Sequence, residues 1–313
     1  MQKIRKKIVE KAKEIGFDLV GFSTSQLDEK YTKAYKKWLD NGMNADMGYM
    51  KTSAPRLDIS EIIPDAKTVI VLALNYYHVQ EPLTPTFKRV SKYAYGRDYH
   101  KIIPKMLREL EQYIVELIPD VGFRSFTDTG PVLERAYAEQ SGIGYVGKNS
   151  LLITPEFGSF VFLAEVIIDA DLIDESYVRP DVKISCGQCR QCLDKCPTNA
   201  IVEPRVIDAN RCISYLTIEK KGEINEELSE IIRENNIIFG CDICQDVCPH
   251  NCRAKEHIHD SLRLPKIAGN QISADEVLEM ESNDDFIKRF AGSPIVRAKF
   301  EGMRRNSNLN KNK

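Results

Sequence analysis

The chain predicts an α/β (α+β) domain over residues 1–175, a small cysteine-rich domain over 176–262, and a short helical, basic tail over 263–313. Three observations carry that division. Helix-period and strand-period segments alternate up to about residue 175. All nine cysteines fall between Cys186 and Cys252. The two ends are basic: residues 1–13 and 297–313 each carry a net +5, against −12 for the chain between them. At 313 residues the length suits two compact domains of the usual size, about 100–200 residues each. With 42% hydrophobic and 29% charged residues and no long apolar run, nothing predicts a membrane span. The opening MQKIRKKIVEKAKEIGFD has helical spacing and no apolar export core, so a cytoplasmic protein is expected.

Taken in order, the elements are a helix near 2–15, a strand near 18–23 (DLVGFS), a helix near 27–40 and a strong strand at 68–77 (TVIVLALNYY). After the Pro-rich connection QEPLTPTFKRV come a helix near 100–118, a strand around 122–127, a helix near 131–141 and strands within SLLITPEFGSFVFLAEVIID. The mixture predicts a sheet with mixed or antiparallel pairing. For the last seventeen residues, RAKFEGMRRNSNLNKNK, a disordered solubilising tail and a polyanion-binding segment are equally open.

Residues 142–149, GIGYVGKN, match G-x-G-x-x-G and nearly match a phosphate loop. Both fingerprints need a strand before the glycines and a helix after them, so that phosphate meets free helix N–H groups. Here the order is reversed, which excludes a nucleotide site. The turn still lets a planar or anionic ligand approach the backbone near Lys148 and Asn149.

Just upstream, in FTDTGPVLERAYAEQ, Asp128 ends a strand and Pro131 suits the first turn of the next helix. Asp128 is either a helix cap or a carboxyl group facing the cleft at a strand end; on spacing alone the cap is favoured.

The cysteines carry the sharpest signal. Cys186, Cys189, Cys192 and Cys196 stand in C-x2-C-x2-C-x3-C-P spacing, and Cys241, Cys244 and Cys248 repeat it before Pro249. In ferredoxin-like pairs of [4Fe–4S] clusters the cysteine before the proline ligates the other cluster. That rule assigns Cys186, Cys189, Cys192 and Cys248 to one cluster and Cys196, Cys241 and Cys244 to the second. Ile238 stands where the second run needs another cysteine, so Cys212 is the candidate to close it, and Cys252 is left over. Zinc would draw on His250, His257 and His259 near Cys248 and Cys252, but zinc pairs lack the triple C-x2-C-x2-C-x3-C-P run.

The segments DTGPVLERAYAEQSGIGYVGKNSLLITPEFGSFVFLAEV, CGQCRQCLDKCPTNAI, RCISYLT and GCDICQDVCP, with SKYAYGRDYH before and SPIVRAKFEGMRRN after them, resemble the epoxyqueuosine reductases. The resemblance runs from about residue 40 to residue 305. It implies a cobalamin-binding front domain, fed by the two clusters, that reduces epoxyqueuosine at the wobble position of tRNA to queuosine, the last step of queuosine synthesis. The tRNAs implied are those for Asp, Asn, His and Tyr; a low-potential electron donor is also implied. Longer members append a helical-repeat module that this chain lacks.

The resemblance further implies base-off cobalamin without a histidine below cobalt. The histidine-on signature D-x-H-x-x-G is only half present at Asp98 and His100, with Ile103 in place of glycine. Asp128 matches the proton donor above the cobalt. Arg56, Tyr99, His100, Lys148, Asn149 and Ser150 fall around the corrin, and Ser214 and Thr217 fall beside the second cluster. A poor alkoxide leaving group explains the need for an acid. The alternative class, a reductive dehalogenase, shares cobalamin and paired clusters but is typically exported behind a twin-arginine signal. A simple electron carrier would not need the front domain, and a non-catalytic RNA-binding protein would not need eight placed thiols. A monomer is expected, since no heptad or apolar stripe argues for association.

Overall fold

The computed structural model describes residues 1–52, 54–79, 87–260, 262, 269 and 271–311. Its front part is built on a four-stranded antiparallel sheet: β1 (Leu19–Thr24), β2 (Thr68–Asn75), β4 (Phe123–Phe126) and β7 (Val161–Ile168), in the order β1-β2-β7-β4. Between β2 and β4 lies a short strand, β3 (Phe87–Val90), in a second sheet. β5 (Tyr145–Val146) and β6 (Leu152–Ile153) form a hairpin after β4.

The sheet is covered on both faces, which is why β2 is buried at every residue and reads as a continuous apolar run. Helices α1 (Gln2–Ile15) and α4 (Tyr99–Leu117) bury Ile8, Ala12, Ile103, Leu107, Leu110 and Ile114 against Ile70, Leu72, Ala164 and Val166. Alternate residues of the same strands, Val69, Val71, Leu163 and Ile167, pack on the other face against Tyr137 and Ala138 of α5 (Glu134–Ser141). The period-2 alternation thus sorts one set of side chains into two cores. Helices α2 (Glu29–Asp40) and α3 (Ala54–Leu57) complete the front part.

The cysteine-rich part holds two four-residue helices, α6 (Gln191–Asp194) and α9 (Ile243–Asp246), packed on one another. Around them are the pair β8 (Ile201–Glu203) and β9 (Val206–Ile207), helices α7 (Ile213–Ile218) and α8 (Glu226–Glu234), and strand β10 (Ile237–Phe239). The tail supplies β11 (Gln271–Ser273), α10 (Ala274–Leu278), α11 (Asn283–Phe290) and α12 (Lys299–Leu309).

β3 from the Pro-rich connection, absent from the predicted elements, is the centre strand of a sheet ordered β10-β3-β11. Front, cysteine-rich and tail segments therefore meet in one sheet. The rest of that connection, residues 80–86, lies outside the described residues.

The reading of the last residues as a disordered tail is overturned. Asn306 is fully buried and donates to the carbonyls of Thr217 and Ile238 at 2.8 and 2.9 Å, and Asn310 donates to Ile237 O at 2.8 Å. Arg305 hydrogen-bonds the carbonyls of Leu216, Lys220 and Gly222. The asparagines satisfy carbonyls of α7 and β10. Among the described residues no helix is long and apolar enough to cross a membrane.

Replacing Asn306 with Ala strands two buried carbonyls and should cost about 2–4 kcal/mol. Asn308→Ala, exposed on the same helix, should stay within about 0.5 kcal/mol of wild type. Chemical denaturation of both variants checks the contrast; equal midpoints would show that α12 does not clamp the cysteine-rich part.

Candidate active site

Asp128 sits in the loop after β4 with φ +58°, in the left-handed region that a non-glycine residue occupies only when its surroundings enforce it. Several contacts do so. Thr127 Oγ1 donates to Leu163 O at 2.8 Å, the Asp128 N–H donates to Glu134 Oε1 at 2.5 Å, and Arg56 Nη1 donates to Gly130 O at 3.1 Å. A Cβ at Gly130 would lie 2.5 Å from the Phe126 ring, so glycine is required there.

The loop does not cap the next helix. α5 begins at Glu134 with Leu133 at its N-cap and no side-chain cap bond, three residues later than expected, which leaves Pro131 outside the first turn. The capping reading of Asp128 is thereby corrected. Its Oδ2 instead accepts from Tyr99 Oη at 2.9 Å, faces His100 Nε2 at 3.1 Å and accepts from Arg297 Nη1 at 3.1 Å. Its side chain is 46% exposed.

Each partner is positioned by its own element. Asp98 caps α4, accepting from the His100 N–H at 3.1 Å, and also faces His100 Nδ1 at 2.7 Å. Tyr99 is buried and stacked on Phe162 at 4.0 Å between ring centroids. Arg297 comes from the turn Pro294–Ala298, and its Nη2 also meets His100 Nε2. Sequence reasoning passed over Arg297, whose only signal was its place in SPIVRAKF.

The charges follow from this geometry. Burial disfavours the Asp128 carboxylate, but His100, Arg297 and Tyr99 together outweigh it and hold the group at about 2. His100 is raised above its ordinary value: burial lowers it, and its bonds to Asp128 and Asp98 overcome that. Behind the loop lies a pair of carboxyls whose shifts run opposite to that of Asp128. Glu165 on β7 is fully buried beside Glu134, the carboxyl with which it shares its environment. Burial first and Glu134 second push its carboxyl well above the usual range. Glu134 is raised likewise, by burial and then by Asp128.

The thiols fall into two groups. Cys186, Cys189, Cys192 and Cys248 line one cavity of about 130 Å³. Cys196, Cys212, Cys241 and Cys244 form the other: burial raises the Cys244 thiol first, and charges on Cys241, Cys212, Asp242 and Cys196 raise it further. Buried thiols that push one another's ionisation up are a donor set suited to a cationic core. Cys252 is exposed, with its sulfur 4.0 Å from Cys248 O. Among the described residues no three His, Cys, Asp or Glu side chains are gathered closely enough to hold a single ion.

The GIGYVGKN turn joins helix to strand as expected, and its ligand face is turned to the first thiol group. The Lys148 N–H points at Cys186 Sγ at 3.4 Å, Lys148 Nζ donates to Gly187 O and Cys189 O, each at 2.8 Å, and Asn149 Nδ2 donates to Cys244 O at 3.4 Å. Lys148 and Asn149 thus stand on the cluster side, whereas Arg56, Tyr99 and His100 gather with Asp128. Ser150, at φ +62°, is buried and hands its carbonyl to Arg135. Thr217 is fully buried; its hydroxyl donates to Ile213 O and accepts from the Gly240 N–H, which leaves no surface for a ligand. Ser214 is half-buried.

Residues 185–251 match the model of the 4Fe-4S double cluster binding domain, and residues 56–129 match that of epoxyqueuosine reductase QueG. The chain is 43% identical over 300 residues to an epoxyqueuosine reductase of Cellulophaga algicola, covering 93% of each chain. The chain belongs to the epoxyqueuosine reductase family. A Pseudomonas aeruginosa member is 40% identical over 94% of this chain and 81% of its own. The structure of the Bacillus subtilis reductase superposes with a TM-score of 0.88 at 29% identity, over 99% of this chain and 81% of that one. A reductase bound to an epoxyqueuosine-modified tRNA stem loop gives 0.86 at 31%, over the same shares of the two chains. The chain is therefore an oxidoreductase with a two-cluster iron–sulfur domain.

With two complete thiol sets the protein should hold about eight irons. Cys212→Ala should lose about half of them and Cys252→Ala none, read as iron per chain and charge-transfer absorbance; the reverse result would mean that Cys252 closes the second set. A second expectation concerns Glu165. A carboxyl whose folded pKa lies above its unfolded one is protonated in the fold, so the stability it contributes falls as pH rises through and beyond the unfolded value of about 4.3. Glu165→Gln should therefore gain thermal stability over wild type at pH 8 relative to pH 5. An equal difference at both pH values would show that Glu165 is not held protonated.

Proposed function

We propose that this reductase acts on epoxyqueuosine carried in tRNA, and that Asp128 passes protons to the departing epoxide oxygen. The observation that carries this reading is the corner itself. A strained backbone presents one carboxylate whose Oδ2 is held by three donors on the protein side, with nearly half of its side chain open to solvent. The tRNA-bound structure supports the substrate class, and the Bacillus subtilis structure has its aspartate catalytic loop swung out of the active site.

Cobalamin suits the same corner. Among the buried polar atoms of the described residues that lack hydrogen-bond partners are Arg56 Nε and Ser150 Oγ, and both residues lie on elements that touch the Asp128 loop or α5. Arg56, Tyr99, His100 and Ser150 would hold the cofactor, with Lys148 and Asn149 at its cluster side. When bound, cobalamin supplies a low-potential cobalt reductant for the C–O bond. Both His100 ring nitrogens are engaged, one with Asp98 and one with Asp128 and Arg297, so neither stands free to ligate a metal.

Opening an epoxide to an alkene and water consumes two electrons and two protons. The chain's own residues move the protons. Its neighbours hold Asp128 ionised at rest. Each proton that Asp128 gives must therefore first be brought to it, and Arg297 and Tyr99 hold the carboxylate in place meanwhile.

Asp128→Asn is nearly isosteric and can still accept from Tyr99 and Arg297, but it cannot pass a proton. It should retain its iron and bind tRNA, while turnover of epoxyqueuosine-containing tRNA under excess reductant falls about 10²–10⁴-fold. Turnover within a few-fold of wild type would remove Asp128 from the chemistry.

A further inference from the structure

Among the described residues three side chains touch Asp128 Oδ2, and only one of these can release a proton near neutral pH. Burial and the Asp128 charge push the Tyr99 phenol far up. A guanidinium keeps its protons in any protein. That leaves His100, whose Nε2 lies 3.1 Å from Oδ2. Its other nitrogen, Nδ1, lies 2.7 Å from Asp98 Oδ1, a pairing that fixes a proton on Nδ1 in either charge state of the ring.

The contact of Arg297 Nη2 with the same Nε2 has a definite meaning. A ring nitrogen that faces both an acceptor and a donor has a partner whether or not it carries a proton. Charged, Nε2–H donates to Asp128. Neutral, Nε2 accepts from Arg297. The two arrangements differ by one proton and by small rotations, so neither leaves a buried polar atom unpaired.

We propose that Asp98, His100 and Asp128 form a proton relay, in which His100 Nε2 hands its proton to Asp128 and Arg297 then fills the emptied nitrogen. This rests on the reading of Asp128 as the group that protonates the substrate oxygen. The first proton goes from Nε2 to the Asp128 carboxyl and on to the epoxide oxygen as its C–O bond breaks. The second follows the same path when the remaining C–O bond breaks and water leaves. Two electrons come from the low-potential donor that supplies the cluster domain, and the product is the alkene. His100, 14% exposed, is recharged from water between the two transfers. Asp98 touches no reacting atom; it is a positioning residue that keeps the ring oriented and its cation favoured.

The groups facing His100 are Asp98 and Tyr99 on α4, Asp128 on the loop after β4, and Arg297 on the C-terminal turn. Asp98→Asn retains an oxygen for the His100 N–H, so the helix cap survives, but removes the charge that holds the imidazolium. The alkaline limb of the kcat/KM profile should then move to lower pH by about one unit or more. That is a loss of about tenfold at pH 8 that shrinks toward pH 6. His100→Gln should lose about 10²-fold or more at every pH. Independently of turnover, ¹⁵N-histidine NMR of the holoenzyme, which has five histidines, should show the His100 midpoint falling in Asp98→Asn. An Asp98→Asn profile with an unmoved limb, or a His100→Gln variant near wild type, overturns the relay. If those results accompany an inactive Asp128→Asn, the Asp128 reading stands and only the relay fails; an active Asp128→Asn removes both.

Discussion

One carboxylate oxygen organises this molecule. Asp128 Oδ2 gathers a phenol and an imidazole from the first turn of α4 and a guanidinium from 169 residues further along the chain. A half-enclosed charge is tolerated only when it is paired and hydrogen-bonded, so the C-terminal segment has to be folded back over the front sheet. The rest of the fold makes that return. β3 carries the front part into a sheet with β10 and β11, Phe286, Phe290, Ile295 and Met303 pack a separate core around them, and the asparagines of α12 satisfy the carbonyls that β10 and α7 leave open. Arg297 sits on the turn leading into that helix. The site is thus a property of the folded whole, since neither end of the chain contains it.

How much of this was legible in the sequence follows from the range of the interactions involved. The cysteines could be sorted into two sets because ligand spacing is a short-range matter and the crossing rule supplies the rest; the structure gathers the first four around one cavity and lets charges on the second four reach one another. The helices and strands of the front part followed from periodicity, with boundaries within a few residues. β3 was hidden because a four-residue strand beside two prolines has almost no periodicity, and its partners lie about 150 and 180 residues away. Arg297 and Glu165 were hidden for the same reason: an arginine in a basic tail and a glutamate in an apolar strand declare themselves only through distant partners.

Helix α5 connects the two halves of the chemistry. Its first residue, Glu134, takes the Asp128 N–H and so holds the strained loop. One and a half turns on, Glu139 accepts from the Val146 N–H at 2.7 Å and pairs with Arg205 at 2.9 Å, which fixes both the hairpin that leans on Cys186 and the β8–β9 turn of the cluster domain. At about 1.5 Å rise per residue, five residues of helix set these two anchors about 7–8 Å apart along its axis. An α-helix is stiff over that length, so the proton-handling loop and the cluster-facing hairpin move as one piece. Displacing Asp128 while leaving the hairpin in place therefore requires breaking the Glu134 contact rather than bending the helix. The raised carboxyl of Glu134 sharpens the point: a protonated Glu134 accepts one hydrogen bond less readily than a carboxylate, so the grip on the Asp128 N–H depends on how the proton is shared between Glu134 and the buried Glu165 behind it.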